Sequence, residues 1–258
     1  MKSIFTLGRK LVAGLLLAAV VLGSNAAPAQ AAVEHKEAVI IPADTYRKTL
    51  CQGFLGKSYG SVIDGIRCDC SGYTRATFNR LKNSGDRGDA LKNVVVSAKS
   101  TRDWVNGSTI AFTTGSAIES DEGSSVLWDN RTQLSIGRKG TGATGLDDLE
   151  LGDVVVYAKG NTSSHIAVYF GEFSSLDEVK AYLVNLGLYS AGALKKSGGN
   201  KYVSNGKTII RTYGSSTHWR VHSTCSGIMI DNDVAGTSSY TSSFGKWKWT
   251  FDTGIQAE

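Results

Sequence analysis

Two short β-rich runs lie close together in the sequence and constrain the fold most. Val154-Val155-Val156-Tyr157 follows a Leu-Gly-Asp turn, and His165-Ile166-Ala167-Val168-Tyr169-Phe170 follows a loop of Gly, Asn, Thr and Ser residues. β-Branched and aromatic residues favour strands, and a polar loop between two such runs is typical of an antiparallel hairpin. The pattern predicts an antiparallel sheet, to which Lys207 to Tyr213 and Gly227 to Asp231 are expected to add strands.

Helical spacing of apolar residues predicts several helices. Asp44 to Leu50 is expected to be the first, with Asp44 as its N-cap, and Leu176 to Leu188 carries the same spacing after the second β-rich run. Between them, Ser71 to Leu81 spaces its large side chains so that one face can pack inward. Helices combined with an antiparallel sheet predict an α+β fold, with Cys70 at or just before a helix N-terminus.

The N-terminal residues predict export. Residues 1–31 combine a cationic start, an apolar stretch from Leu11 to Leu22 and a small-x-small cleavage site at Ala29-Gln30-Ala31. Together these features indicate a secretory signal peptide. The apolar stretch is shorter than the roughly 20 residues that cross a bilayer core, and no later segment is long and apolar enough, so no membrane span is expected.

One domain is expected after cleavage. Removing 31 residues from 258 leaves about 227, and the loss of three signal cations lowers the formal charge from +5 to +2. We divide this chain into a leader at 32–43 and one domain at 44–258, with insertions around 84–145 and 172–205. The first insertion is rich in Gly, Ser, Thr and Asp and is expected to help wall a cleft. The mature chain has no basic block, so nucleic acid is not expected as a partner.

Four cysteines occur in the chain, and they are Cys51, Cys68, Cys70 and Cys225. In an oxidising compartment this number suggests two disulfides. If Cys70 stays reduced for chemistry, at most one disulfide remains, between Cys68 and either Cys51 or Cys225. A zinc site is the other interpretation. However, Cys-x-Cys is not a usual ligand spacing and no second close pair exists, so neither a metal nor another cofactor is expected.

Cys70 and His165 are the candidates for a nucleophile and its base. A helix N-terminus lowers the pKa of a cysteine, because its backbone N–H groups and dipole favour the thiolate. A nearby imidazole would complete the activation. Of the four histidines, His165 is best placed because it begins a well-patterned strand, which mounts a base rigidly; the others are His35, His218 and His222. The alternative interpretation of Cys70 is structural, as a small buried residue or half of a disulfide.

Three sequence blocks carry a resemblance to a known family. Asp69-Cys70-Ser71-Gly72 precedes an amphipathic helix, Leu151 to Tyr157 is followed by Ser164 to Gly171, and Leu55 to Gly60 contains a Gly-x-x-Tyr segment. In this order the blocks resemble the NlpC/P60 family of papain-like peptidoglycan endopeptidases. The resemblance implies a papain-like NlpC/P60 domain, in which the helix that carries the nucleophile packs on the antiparallel sheet that carries the base.

The resemblance also implies roles for the residues around the thiol. Cys70 would attack the scissile carbonyl, while His165 first accepts its proton and later protonates the leaving amine. Tyr59, Asp69 and Ser71 would sit beside the thiol and help hold the substrate. Asp69 suits a free peptide amine, and the Tyr59 hydroxyl with the Cys70 N–H suits the developing oxyanion. Asp69 and Ser71 have an alternative role as caps of the helix, and both roles can coexist.

The third catalytic residue is where the sequence departs from the family pattern. The family places a polar residue, usually His, on the strand after the base, where it orients the imidazole. Here an insertion intervenes, and the strand that resumes puts Arg211 near that place, although arginine cannot accept an imidazole N–H. We predict His218 as the third residue, with His222, a backbone carbonyl or no third residue as alternatives. The structural interpretation of both histidines is an exposed, alternating strand face.

The sequence therefore predicts a secreted or cell-wall-associated cysteine peptidase that cleaves amide bonds in the stem or cross-link peptides of peptidoglycan. A peptidoglycan amidase or transpeptidase with the same dyad is a neighbouring alternative, because related clefts differ in the bond or acceptor they admit. A secreted wall-binding or inhibitory module on a degenerate fold is the non-enzyme alternative. The missing third residue favours that module, whereas the intact Asp69-Cys70-Ser71-Gly72 block and His165 oppose it.

Five tryptophans could stack on the sugars of a glycan strand, but most are expected to pack in the core. They are Trp104, Trp128, Trp219, Trp247 and Trp249. Trp247 and Trp249 alternate with lysines, which favours an edge strand that presses one face inward.

Overall fold

The structure is a computed structural model. It describes residues 39–81, 95–96, 100–101, 112–113, 117–119, 125–127, 137–140, 146–159, 162–236, 247–252 and 255–257. Backbone contacts divide the chain after Ala32, and every described residue belongs to the unit Val33–Glu258. Several predictions fall outside the described residues: the signal peptide, most of the first insertion, and the side chains His35, Trp104 and Trp128.

The described helices are α1, Ala43–Cys51, α2, Cys70–Leu81, and α3, Leu176–Asn185. The prediction that Asp44 caps α1 is wrong. Pro42 occupies the N-cap position, and Asp44 lies in the first turn, where its charge complements the positive end of the helix dipole. α3 has a side-chain cap, because the Ser175 hydroxyl accepts the Glu178 N–H at 3.1 Å.

The strands of the described part of the chain are short, apart from the tenth. In order, β1 to β17 are Val39–Ile41, Ser61–Ile63, Ile66–Cys68, Val95–Val96, Phe112–Thr113, Ala117–Glu119, Ser125–Leu127, Gly137–Gly140, Val154–Lys159, Thr162–Glu172, Lys195–Ser197, Lys201–Ser204, Lys207–Arg211, His218–Thr224, Gly227–Asp231, Trp247–Asp252 and Ile255–Ala257. A 3-10 turn at Leu146–Asp148 precedes β9.

Nine strands form one sheet in the order β11-β12-β13-β15-β14-β10-β9-β16-β8. The predicted hairpin is confirmed as β9 and β10, with His165 opposite Tyr157 and Val168 opposite Val154. β13 and β15 run parallel, and the other neighbouring pairs of this sheet run antiparallel. The expected mixture of helices with a mainly antiparallel sheet is therefore confirmed.

The two faces of the central strands bury different groups, as the alternation of side chains along a strand requires. One face carries Ile166, Val168 and Phe170 into the main core, which also holds Tyr73 and Phe78 of α2. The other face carries a smaller apolar cluster, made of Leu149, Val155, Tyr157, Ala167, Tyr169 and Val234. α2 thus lies on the sheet with Cys70 at the start of the helix.

The prediction that Trp247 and Trp249 lie on an edge strand is wrong, because β16, which carries them, lies between β9 and β8. The alternative interpretation of His218 and His222, an exposed and alternating strand face, does not hold either, because β14 is buried along its whole length. Both strands acquire second neighbours from distant parts of the chain, which no local pattern reveals.

None of the helices in the described part of the chain combines the length and apolar character that a membrane crossing requires.

Candidate active site

The first turn of α2 is built by a side-chain cap and a close backbone approach. Asp69 accepts hydrogen bonds through Oδ1 from the Ser71 hydroxyl at 3.0 Å and from the Gly72 N–H at 2.7 Å. A Cβ atom at Gly72 would lie 1.8 Å from the Arg67 carbonyl oxygen. The chain therefore turns from β3 into α2 so tightly that position 72 needs glycine. This turn fixes Cys70 at the N-terminal end of the helix.

Two backbone N–H groups and one side-chain hydroxyl surround the Cys70 sulfur. The backbone N–H groups of Ser71 and Ile166 donate to it, and the Thr101 hydroxyl lies 3.9 Å from Sγ. Since Ile166 directly follows His165, the sulfur lies against the stretch of β10 that carries the predicted base. Thr101 belongs to the first insertion, and no pattern in the sequence marks it as a neighbour of Cys70.

Burial sets the protonation of the pair in its resting state. It raises the pKa of the Cys70 thiol, against the opposing effect of the Thr101 hydroxyl, and Asp69 raises it further. The lowered pKa predicted from the helix N-terminus is therefore not reached. Burial also holds the pKa of His165 well below its usual value, and the neighbouring His222 and Arg220 act in the same direction. At neutral pH the resting pair is a thiol and a neutral imidazole.

A chain of contacts between buried polar side chains extends from the His165 ring. Its Nε2 lies 2.8 Å from Nδ1 of His222, and the two rings meet at 67°. Nε2 of His222 lies 2.9 Å from Oδ2 of Asp231, whose Oδ1 accepts from Arg220 Nε at 2.8 Å. His222, Asp231 and Arg220 are each 0% exposed, and His165 is 2% exposed.

The structure places His222 against His165 and places His218 elsewhere. His218 Nδ1 lies 2.8 Å from the Tyr169 hydroxyl, and its Nε2 lies 3.5 Å from Asp147 Oδ1. The register explains the difference. β10 and β14 run antiparallel with Glu172 opposite His218, so β14 reaches the His165 end of β10 only towards His222. The geometry therefore replaces His218 with His222 as the candidate third residue.

The sequence put Arg211 near the position expected for the third catalytic residue. In the structure Arg211 lies on β13, and two strands separate β13 from β10 in the sheet. The strand that follows the second insertion is thus not the neighbour of β10. β11, β12 and β13 extend the far edge of the sheet first, and the chain returns beside β10 only in β14. For this reason, counting residues from His165 to the next strand identified β13, which is not the strand beside β10.

The three residues expected to bind substrate divide into two groups. Asp69 and Ser71 bond to each other and cap α2, so their capping role is present. Tyr59 is 47% exposed. Burial raises its pKa, and the nearby Cys70 and Asp69 raise it further. Tyr59 therefore lies at the surface, close enough to Cys70 for the charges of the two groups to interact.

The remaining cysteines are thiols, and no disulfide links them. Cys51 and Cys68 lie in the main core, whereas Cys225 is exposed at the turn between β14 and β15. The sequence allowed at most one disulfide, and in the structure all four cysteines are thiols. Within the described part of the chain, no group of three or more His, Cys, Asp and Glu side chains is arranged to hold a metal ion.

Sequence reasoning missed Arg220 and Asp231 as members of the site. The sequence carries one signal for these residues, which is the alternation of side chains along a strand. His218, Arg220 and His222 fall on one face of β14, and Asp231 ends an otherwise apolar strand. A buried strand with such a polar face needs a counter-charge nearby. That inference required knowing that β14 is interior.

Comparisons of this chain with models of known protein families, with curated proteins and with solved structures found no match.

Proposed function

We propose that this protein is a secreted cysteine hydrolase that cleaves amide bonds in the stem or cross-link peptides of peptidoglycan, as its resemblance to the NlpC/P60 family implies. One observation carries the proposal. The Cys70 sulfur accepts the N–H of Ile166, directly after His165, and His165 is in turn bonded to His222. The nucleophile therefore lies against the strand that carries the proposed base, and the base contacts a residue that can orient it; covalent acyl transfer needs these three groups.

The geometry supports the following chemistry. As the Cys70 sulfur bonds to the scissile carbonyl carbon, the thiol proton passes to His165. The C–N bond breaks when His165 delivers that proton to the leaving amine, which leaves a thioester on Cys70. Water then attacks the thioester, gives one proton to His165 and releases the acid, and the proton returns to the sulfur. The neutral resting pair requires the first proton transfer to accompany attack.

Backbone and side-chain donors near the sulfur suit the oxyanion of each tetrahedral intermediate. Ser71 N–H is directed at the sulfur and Gly72 N–H at Asp69. We assign the oxyanion to the N–H of Cys70 and the hydroxyl of Tyr59. Donors that are already fixed by the turn into α2 need no reorganisation as charge develops.

The packing of α2 on an antiparallel sheet that holds the base is consistent with a papain-like domain. A degenerate binding module was favoured mainly because the sequence showed no third catalytic residue. We take His222 as that third residue, because its Nδ1 lies 2.8 Å from Nε2 of His165, on a strand that the sequence did not identify as the neighbour of β10. We therefore favour an enzyme over a module that only binds the wall.

Digestion of purified peptidoglycan tests the proposal. The mature protein, its Cys70→Ala variant and a Cys225→Ser control are incubated with walls of several peptide chemistries, and new amine-bearing fragments are identified by mass spectrometry. We expect fragments from the unaltered protein and the control, and none from Cys70→Ala. Cleavage between a glycan and its peptide would redirect the proposal to an amidase. Identical profiles from all three proteins on every wall would contradict a hydrolase.

A further inference from the structure

A buried cluster of charged residues contacts His222, and the proposed reaction steps do not use it. Arg220 and Asp231 face each other across β14 and β15 in register, and both side chains are 0% exposed. Arg220 Nε donates to Asp231 Oδ1 at 2.8 Å, and its second terminal nitrogen lies 3.3 Å from Oδ2. Burying charges costs free energy even when they are paired. A buried ion pair close to the proposed base therefore suggests a functional role for the pair.

The contacts specify where the ring protons sit. Arg220 and His222 hold the pKa of Asp231 well below its usual value despite burial, which acts to raise it. A carboxylate only accepts hydrogen bonds, so Nε2 of His222, at 2.9 Å from Asp231, carries a proton. A neutral imidazole carries one N–H, which leaves Nδ1 of His222 as an acceptor. Nε2 of His165, at 2.8 Å from that atom, must then be the donor.

We propose that Asp231 is a positioning residue for the Cys70–His165 pair. Its carboxylate sets the tautomer of His222, which sets the tautomer of His165 and leaves Nδ1 of His165 to accept the thiol proton. This role rests on the proposed function for its catalytic consequence, although the tautomers themselves do not. Arg220 keeps Asp231 ionised, and Asp231 stabilises the imidazolium that forms when His165 takes the proton.

Asp233 provides a matched control for Asp231. Its carboxylate lies 3.7 Å from the same guanidinium and is nearly as buried, at 5% exposed. Asp233 forms an ion pair with Arg220 and raises the pKa of His222 through its charge, whereas Asp231 also accepts a hydrogen bond from His222. Loss of either carboxylate removes a partner from Arg220, but loss of Asp231 also removes the acceptor of the His222 N–H.

The test reads the tautomers directly. Long-range nitrogen–proton correlation NMR of the folded protein with isotope-labelled histidine distinguishes the two ring nitrogens of each imidazole, and His165→Gln and His222→Gln variants assign the signals. In the unaltered protein we expect both His165 and His222 to carry their proton on Nε2. A proton on Nδ1 of either ring in the unaltered protein would overturn the proposal.

Asp231→Asn adds the functional arm. An amide can turn its NH2 towards His222 and force the proton of that ring to Nδ1, which opposes the Nε2–H of His165. We expect the tautomers to change, alkylation of Cys70 to slow, and kcat on peptidoglycan to fall about 100-fold or more with KM little changed. Asp233→Asn should keep the tautomers and most of kcat. Equal losses in the two variants, with tautomers unchanged, would reduce Asp231 to a structural role.

The two proposals fail in different ways. If the tautomers respond to Asp231→Asn as expected but the unaltered protein cuts no wall, the relay stands and the hydrolase is contradicted. If the unaltered protein cuts walls and Asp231→Asn leaves both tautomers and kcat unchanged, the hydrolase stands and the positioning role is overturned.

Discussion

Nδ1 of His222 lies 2.8 Å from Nε2 of His165, on the strand directly beside the one that carries His165. His218 occupies the same face of the same strand but meets Tyr169 instead. Side-chain alternation alone qualifies both histidines, because residues at even spacing share a strand face. The register of β10 against β14 decides between them, and that register depends on the path of the chain through three intervening strands.

Replacing His222 should remove most of the hydrolysis, whereas replacing His218 should not. His222→Leu deletes the acceptor that orients His165, so we expect kcat on peptidoglycan to fall about 100-fold or more. His222→Asn keeps a side-chain oxygen near the position of Nδ1 and should retain more activity than the leucine variant. His218→Leu should stay close to the unaltered protein in fragment-release assays. The reverse ranking of His218 and His222 would contradict the assignment.

The parts of the fold that the sequence predicted are those with local signals. The hairpin of β9 and β10 and the helix that begins at Cys70 depend on side-chain periodicity and turns over short stretches. The position of β16 between β9 and β8 depends on pairing between distant segments. Such pairings are set by the global packing of the sheet, so Trp247 was assigned to an edge.

The residues of the candidate site also divide into those that local sequence marks and those that only the fold brings together. Cys70 and His165 are each marked by local sequence, as a helix start and a strand start. His222 and Asp231 become part of the site only because β14 returns beside β10 after the detour through β11 to β13. The protonation of Cys70 also escaped the sequence, because helix position favours the thiolate while burial, which depends on the whole fold, favours the thiol.

Stability should fall as the pH drops below neutrality. Burial lowers the pKa of both His165 and His222 from the 6.5 that applies to the unfolded chain. Protons therefore bind the unfolded chain first, and the folded state loses stability from about pH 6.5 downwards, by up to about 1.4 kcal/mol per pH unit for each imidazole that stays neutral. Denaturant unfolding at several pH values between 7.5 and 5 measures this slope.

A variant with His165→Gln and His222→Gln is the control for this pH dependence. It lacks both buried imidazoles, so its stability should change less with pH over the same range. Asp231 contributes at lower pH, because its pKa is depressed in the folded state and the stability it supplies is lost only as carboxylates protonate. An equal slope in both proteins would assign the acid sensitivity to other groups.

The four cysteines should titrate as four thiols in denaturant without any reductant. In the native protein, a chromogenic thiol reagent should react first at exposed Cys225 and slowly at Cys70. Cys51 and Cys68 should stay protected, because they are buried and burial raises the pKa of Cys68 to about 11. A Cys225→Ser variant identifies the fast thiol. Two missing thiols in denaturant would reveal a disulfide and contradict the structure.

Arg220 should be needed for stability because it compensates buried carboxylates. Arg220→Met leaves Asp231 buried without its cationic partner, and we expect a loss of about 3–5 kcal/mol in the free energy of unfolding. Adding Asp231→Asn should recover part of that loss, because the second change removes the uncompensated charge. Lys196→Met, which breaks the exposed ion pair with Asp177, should leave stability unchanged. Simple additivity of the two buried changes would show that Arg220 and Asp231 are not coupled.

Gly72→Ala tests whether the turn into α2 holds the nucleophile in place. The added methyl group would lie 1.8 Å from the Arg67 carbonyl oxygen, which belongs to the backbone of β3 and cannot turn aside. Either the strand or the first turn of the helix must move, so we expect a loss of about 1–3 kcal/mol and a changed rate of Cys70 alkylation. Gly192→Ala, where no atom lies within 4 Å of the new Cβ, should stay within about 0.5 kcal/mol of the unaltered protein. Chemical unfolding gives both energies. If the two variants were equally stable and were alkylated at the same rate, the turn would accommodate the methyl group. The conclusion that position 72 needs glycine would then be wrong.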